Sequence, residues 1–492
     1  MVDALPVRNL QAIQIIVLMK KIVLLLCIPF LAFTVFCQSR GPAGPLPSAA
    51  QLKWQDNNFY LFVHFGPNTF TDLEWGKGSE KEGVFNPTAL DCRQWCRIAK
   101  AAGAKGIILT AKHHDGFCLW PSAYSKHTVA QSSWRGGKGD VLKELSKACK
   151  EAGILFGVYL SPWDRNHPAY GTAEYNDVFV NMMKEVVTKY GPFFEFWWDG
   201  ANGEGPNGKK QVYDWHRFES TMRSIAPNTI LFSDIGPDAR WVGNEKGFAG
   251  KTNWNLLDTA GFSRGAGAPP SDTLNQGNLN GTNWIPAECD VSIRPGWFYH
   301  ASEDSLVKTP EALFEIYLKS VGRGANFLLN VPANRSGLIS SYDSSALMGF
   351  AALRRKSFHS SILRDAGTSV QLNGKNVRAE LTDGKEDSWV SAGKDYKNAF
   401  LDIRFRKKTE LNCIELKEPV QQGQRVKSFT IELRNGNQLL SRLEQTTIGH
   451  QRILTFPTQA VTGIRIKITD AKTDPLISEL AVFKIDEDLV EK

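Results

Sequence analysis

No dense basic block is present: the formal charge is +7 over 492 residues, residues 1–38 supply +2 of it, and the other Lys and Arg are scattered among acids. Nucleic acid is therefore not an expected partner, because phosphate recognition needs clustered cations. Cysteine is sparse as well, 8 in all and with no CxxC pair. That argues against a disulfide framework, and Cys92, Cys96, Cys118, Cys149, Cys289 and Cys413 read as buried free thiols. No HxH or HxxxH spacing occurs, so the usual mark of a metal-dependent barrel is missing. Internal repeats, low-complexity tracts and long linkers are absent too. The apolar run from Ile22 to Phe36 is too short for a comfortable membrane span. Behind Met19-Lys20-Lys21 it has the charged start and short apolar middle of a secretory signal, and the residues before Met19 read as an upstream start. Cleavage is expected near Cys37 or Gln38, which implies export to the periplasm or cell surface. Cys37 is a candidate for lipid anchoring.

What is there is ordinary globular composition, 42% hydrophobic and 22% charged, long enough for two or more domains. From about residue 55 to 335, short apolar runs alternate with amphipathic segments, the pattern of βα units. Strands are expected at Tyr60 to Phe65, Gly106 to Ala111, Leu155 to Leu160, Phe194 to Trp198, Ile230 to Ser233, somewhere between Gly250 and Asp290, Trp297 to His300, and Asn326 to Val331. Eight units fit a (β/α)8 barrel over residues 50–340. Reactive side chains cluster at the strands' C-terminal ends, where a barrel builds its active site: His64, His113, His114, Tyr159, Trp198, Asp199, Asp234 and His300. After a bridging helix at 341–358, short alternating segments over 359–488 read as an all-β sandwich of galactose-binding-like type. Val377 to Leu381 is among its expected strands.

The 14 Trp residues often sit beside Gly, Asp or His, which favours a ligand with flat apolar faces, such as a sugar. In Phe196-Trp197-Trp198-Asp199-Gly200 a carboxylate ends an apolar strand and Gly turns the chain. A retaining glycosidase needs a second, protonated carboxyl nearby. Glu245, in a loop after the fifth strand, and Glu288, in a loop before Arg294, are both candidates; an ion pair with Arg294 is the competing role for Glu288. Spacing does not decide between them. His64, His113 and His114 suit neutral imidazoles bonding sugar hydroxyls better than a metal site, because adjacent strand residues face opposite ways.

The segments His64-Phe65-Gly66, Lys112-His113-His114-Asp115-Gly116-Phe117, Trp120-Pro121-Ser122, Tyr159-Leu160-Ser161 and Phe196-Trp197-Trp198-Asp199-Gly200 together resemble, in order and spacing, the glycoside hydrolase family 29 α-L-fucosidases. The resemblance spans roughly residues 50 to 335. It implies retaining double displacement on a fucosylated oligosaccharide, with Asp199 as nucleophile. It also implies fucose held by His64, His113 and His114, with Tyr159 and Trp198 nearby. Trp120 and Arg294 join the expected substrate-binding set. Arg240-Trp241-Val242-Gly243-Asn244-Glu245 and Arg294-Pro295-Gly296-Trp297-Phe298-Tyr299-His300 look like the subgroup restricted to α-1,3 and α-1,4 linkages. There Glu245 maps to the acid/base, Trp297 covers the apolar edge of fucose, and Glu288 becomes an orienting group. No cofactor, metal or obligatory protein partner is implied. The rivals are a sugar-binding protein that has lost catalysis and another barrel glycosidase.

Overall fold

A computed structural model describes residues 43–491. The signal and lipid-anchor expectations at residues 1–38 lie outside the described residues. Among the described residues, no helix is long and apolar enough to cross a membrane.

Eight parallel strands close into a barrel. They are β1 (Phe59–Val63), β2 (Gly106–Lys112), β3 (Leu155–Leu160), β4 (Glu195–Trp197), β5 (Ile230–Ser233), β6 (Ala239–Trp241), β7 (Ala287–Ser292) and β8 (Asn326–Asn330). Each pairs with the next in sequence, and β8 returns to β1 with Phe59 opposite Phe327. The helices between them form where the sequence supplies both a cap and a stripe. Helix Cys92–Ala102 starts at Asp91, whose side chain accepts from Gln94 N at 3.1 Å, and ends at Gly103 with φ +77°. Its buried face is Cys92, Trp95, Cys96, Ala99 and Ala102, the spacing of one helical stripe. Helix Val141–Ala152 repeats the scheme with Asp140 and Gly153.

Two expectations for the barrel need correction. The sixth strand is Ala239–Trp241 and the seventh Ala287–Ser292, not a segment after Gly250 followed by Trp297 to His300. Both true strands carry charge where apolar residues would be looked for. The Arg240 side chain is buried and donates to the carbonyls of Leu274 at 2.8 Å and Trp254 at 3.1 Å, and to that of Ile285. On β7, Glu288 and Asp290 are buried. Trp297 to His300 is a loop whose amides at Trp297 and Phe298 donate to the Glu74 carboxylate instead of to a strand.

Helix Ser341–Ser357 leads to an antiparallel region. Its main strands are β9 (Thr368–Leu372), β10 (Leu401–Lys417), β11 (Val426–Asn435), β12 (Gln438–Gln445), β13 (Arg452–Ala471) and β14 (Glu479–Phe483). The first half of β10 pairs with β9 and its second half with β14. Register shifts between these halves lie where a long strand bends to serve both sides of one core. The segment expected as a strand at Val377 to Leu381 is instead a helical turn, Arg378–Leu381. This region docks on the barrel through polar pairs: Asn253 N donates to Thr447 Oγ1 at 2.9 Å, Asn255 N to Gln424 Oε1 at 2.8 Å, and Arg452 Nη1 to Lys251 O at 2.7 Å. All six cysteines among the described residues are buried and free.

Candidate active site

Strand β4 sets the floor of the barrel mouth by simple alternation. Phe196 and Trp198 face the helices, where Trp198 meets the Trp215 ring at 5.8 Å. Trp197 faces the barrel interior, stacked on Phe232 at 4.1 Å and on Tyr159 at 5.3 Å. One step further, Asp199 follows Trp197 to the interior side. Its Oδ2 accepts from Tyr159 OH at 3.0 Å, and its Oδ1 from Ala201 N at 2.7 Å. The side chain is 25% exposed, so the carboxylate is anchored from behind and open in front. Burial and the Asp199 charge together hold the Tyr159 phenol far above its usual range, which keeps it a donor.

The histidines surround this carboxylate, and burial lowers all three. His64 and His114 are pushed down to about 4, and His113 well below its ordinary value. All are therefore neutral at pH 7. Their neighbours fix two tautomers. Asn330 Nδ2 donates to Ser292 Oγ at 2.9 Å and Trp297 O at 2.7 Å, which leaves Oδ1 to accept from His64 Nδ1 at 2.8 Å. Ser161 Oγ gives its hydrogen to Trp163 O at 2.9 Å and accepts from His114 Nδ1 at 2.8 Å. The Nε2 atoms of both rings are then bare acceptors. His114 Nε2 lies 3.6 Å from Asp199 Oδ2, so two acceptors face each other; a hydroxyl that enters here can donate its one hydrogen to the bare imidazole nitrogen, while Oδ2 already accepts from Tyr159 OH. His113 Nδ1 is buried without a hydrogen-bond partner, and its ring lies 5.8 Å from that of Tyr159.

Glu245 lies exposed on the rim after β6, and Trp297 Nε1 donates to its Oε2 at 3.3 Å. The Trp297 ring stands over the pocket, 5.2 Å from His64 and 6.5 Å from Phe62. A residue that sequence reasoning missed holds this loop. Glu74 accepts from Trp297 N at 2.8 Å, Phe298 N at 3.0 Å and His300 Nε2 at 2.9 Å. An acid followed by Trp75 and Gly76, just after the first strand, was the available signal. Trp75 is 54% exposed, with its ring 5.7 Å from His114.

Four expected residues lie elsewhere. Trp198 is fully buried between β4 and the helices, because the strand's alternation gives the interior position to Trp197. Trp120 is fully buried, its Nε1 donating to Glu185 Oε2 at 2.8 Å. The Arg294 guanidinium is spent inside the protein, on Asp343 at 2.9 Å, Asp304 at 2.8 Å and the Tyr299 ring at 4.5 Å. Glu288 is neither in a loop nor paired with Arg294. It is fully buried in the barrel, accepting from Trp197 Nε1 at 2.9 Å and from Tyr60 OH. Burial raises its carboxyl, and it shares that core with Glu195. It therefore orients Trp197 from below the pocket floor.

An anchored carboxylate at the mouth of a closed parallel barrel, ringed by neutral imidazoles, a phenol and an indole, defines a glycosidase-type barrel hydrolase. The family model described as alpha-L-fucosidase matches residues 64–353. The Alpha-L-fucosidase 1 of Arabidopsis thaliana is 44% identical over 457 residues, covering 90% of this chain and 88% of the plant protein. A glycoside hydrolase 29 family member from an unknown rumen bacterium superposes with a TM-score of 0.81 at 40% identity, over 92% of this chain and 80% of the other. The Ruminococcus gnavus GH29 fucosidase E1_10125, solved in complex with fucose, gives a TM-score of 0.82 at 30% identity over 92% and 98% of the two chains. The chain belongs to the alpha-L-fucosidase family and is a glycoside hydrolase.

Proposed function

We propose that this enzyme, exported to the periplasm or cell surface, removes terminal α-1,3- or α-1,4-linked fucose from oligosaccharides or glycoconjugates with retention of configuration. The observation that carries the reading is Asp199, held by Tyr159 OH and Ala201 N with its outer face open. Those two bonds fix the direction of the carboxylate, which is what a nucleophile needs. Asp199 attacks the anomeric carbon while Glu245 gives its proton to the departing glycosidic oxygen. Glu245 then takes a proton from the water that attacks the fucosyl ester, and the aspartate leaves as a carboxylate. The bare Nε2 atoms of His64 and His114 accept from fucose hydroxyls. Trp297 covers the apolar edge of the sugar, including its methyl group. A sugar lacking a hydroxyl at either position would leave a buried imidazole unpaired, so the site discriminates by configuration.

The linkage reading rests on the resemblance of Arg240-Trp241-Val242-Gly243-Asn244-Glu245 and Arg294-Pro295-Gly296-Trp297-Phe298-Tyr299-His300 to the restricted subgroup, and it is supported by the bond from Trp297 Nε1 to Glu245 Oε2 that joins the two segments. Purified protein is incubated with an aryl α-L-fucoside and with a branched Lewis-type trisaccharide, and the first-formed anomer is followed by proton NMR. Release of α-fucose from the trisaccharide supports the proposal. First-formed β-fucose would overturn retention, and turnover of the aryl fucoside alone would overturn the linkage preference.

A further inference from the structure

Far from the pocket, where the antiparallel region meets the N-terminal side of the barrel, three side chains converge. Asp56 closes helix Ala49–Gln55 just before β1. Glu386 comes from the loop after Arg378–Leu381, and His450 from the turn before β13. One donor atom from each lies within 4.8 Å of the other two. The carboxylates are exposed and the imidazole is buried.

Two features distinguish this cluster from a chance meeting of surface acids. His450 is 5% exposed, its Nε2 has no hydrogen-bond partner, and that atom lies 3.7 Å from Asp56 Oδ1. A buried imidazole nitrogen left bare costs stability unless something fills its lone pair. The turn that carries it is fixed in place: Glu418 Oε2 accepts from Gly449 N at 2.7 Å, and Glu418 N donates to Gly449 O at 2.9 Å. The carboxyls of Asp56 and Glu386 approach closely enough to bond one another. Two carboxylates at that range need a proton or a cation between them.

We propose that Asp56, Glu386 and His450 bind a divalent cation of zinc or manganese type, which clips the antiparallel region to the barrel. One imidazole with two carboxylates suits such an ion better than calcium, which prefers six or more oxygens. A tetrahedral zinc site places its ligands roughly 3.3 Å apart, and rotation of the two exposed carboxylates closes the present spacing. Two carboxylates and a neutral imidazole balance a dication. The Lys417 ammonium, the cation acting on both Asp56 and His450, weakens the site without removing that balance.

The test uses the full chain, purified without chelator, analysed for metal and then dialysed against EDTA. Titration of the stripped protein with ZnCl2 and MnCl2 by calorimetry should show one site per chain, and saturation should raise the thermal midpoint. Glu386→Gln, on an exposed loop where folding is not at risk, should weaken binding by at least about tenfold and abolish the metal-dependent rise. Turnover of an aryl fucoside below the unfolding temperature should not change in either protein. Absence of binding to the stripped chain, or equally tight binding to Glu386→Gln, would overturn the proposal in favour of a proton shared between the two carboxyls.

Discussion

Replacing Glu74 by alanine takes two acceptor oxygens away from three donors: Trp297 N, Phe298 N and His300 Nε2. The carboxylate does not face the reacting carbon in this account; it fixes the loop that presents Trp297 and, through the indole N–H, Glu245. A hydrogen bond to a charged group contributes about 1.5–3 kcal/mol net. Here the carboxylate is 37% exposed, so water replaces part of what is lost and the combined effect falls to about 2 kcal/mol. That corresponds to roughly thirtyfold in affinity for the sugar. Because Trp297 covers the sugar in bound substrate and transition state alike, its loosening should appear in KM, and any slackening of Glu245 should lower kcat beside it. The assay is steady-state kinetics on an aryl α-fucoside, with Glu74→Gln as the conservative partner; it keeps one acceptor oxygen and should lie between wild type and alanine. A Glu74→Ala enzyme whose KM stays within about twofold of wild type would refute the reasoning. So would one that loses kcat alone.

Further outcomes follow from the same geometry. Glu288→Ala orphans Trp197 Nε1 and Tyr60 OH and should lower the thermal midpoint, each buried unpaired donor costing about 1–3 kcal/mol. Glu288→Gln should retain fucoside turnover while Glu245→Gln loses about a hundredfold or more on the trisaccharide; the opposite pattern would exchange their roles. Arg294→Ala leaves the Asp343 carboxylate buried without its cation and should destabilise the fold by about 3–5 kcal/mol, read by chemical denaturation, with KM unchanged at temperatures where the variant is folded. His64 and His114, lowered from 6.5 to about 4, should give neutral-ring imidazole NMR signals down to about pH 5. Between 6.5 and 4 the unfolded chain binds more protons at these groups than the folded one, so each destabilises the fold progressively as pH falls through that window. Titration of either ring near 6.5 would contradict the burial that holds these rings neutral.

The sequence made the barrel legible wherever strands were apolar and helices carried caps. Leu155–Leu160 and Ile230–Ser233 fall where periodicity put them. It hid β6 and β7 because a closed barrel can bury Arg240, Glu288 and Asp290 against carbonyls and indoles, and such residues read as loop. The same concealment displaced Glu288 from strand to loop and allowed the expected pairing with Arg294. Adjacent tryptophans posed a different problem. Trp197 and Trp198 are equivalent in composition, and which one faces the interior depends on a strand phase that Asp199 itself sets two residues on. Glu74 escaped notice because its task is to bond main-chain amides about 220 residues away in sequence, a contact that no local pattern encodes.

In the proposed double displacement, Asp199 forms a covalent bond to fucose. Reaction with a 2-deoxy-2-fluoro-fucosyl fluoride slows breakdown of a glycosyl ester, so the modified protein can be digested and mapped by mass spectrometry. One fluorofucosyl group per chain is expected, on the peptide containing Asp199, and none on an Asp199→Asn variant. A label on Glu245, Glu74 or Glu288, or turnover without any trapped ester, would contradict it.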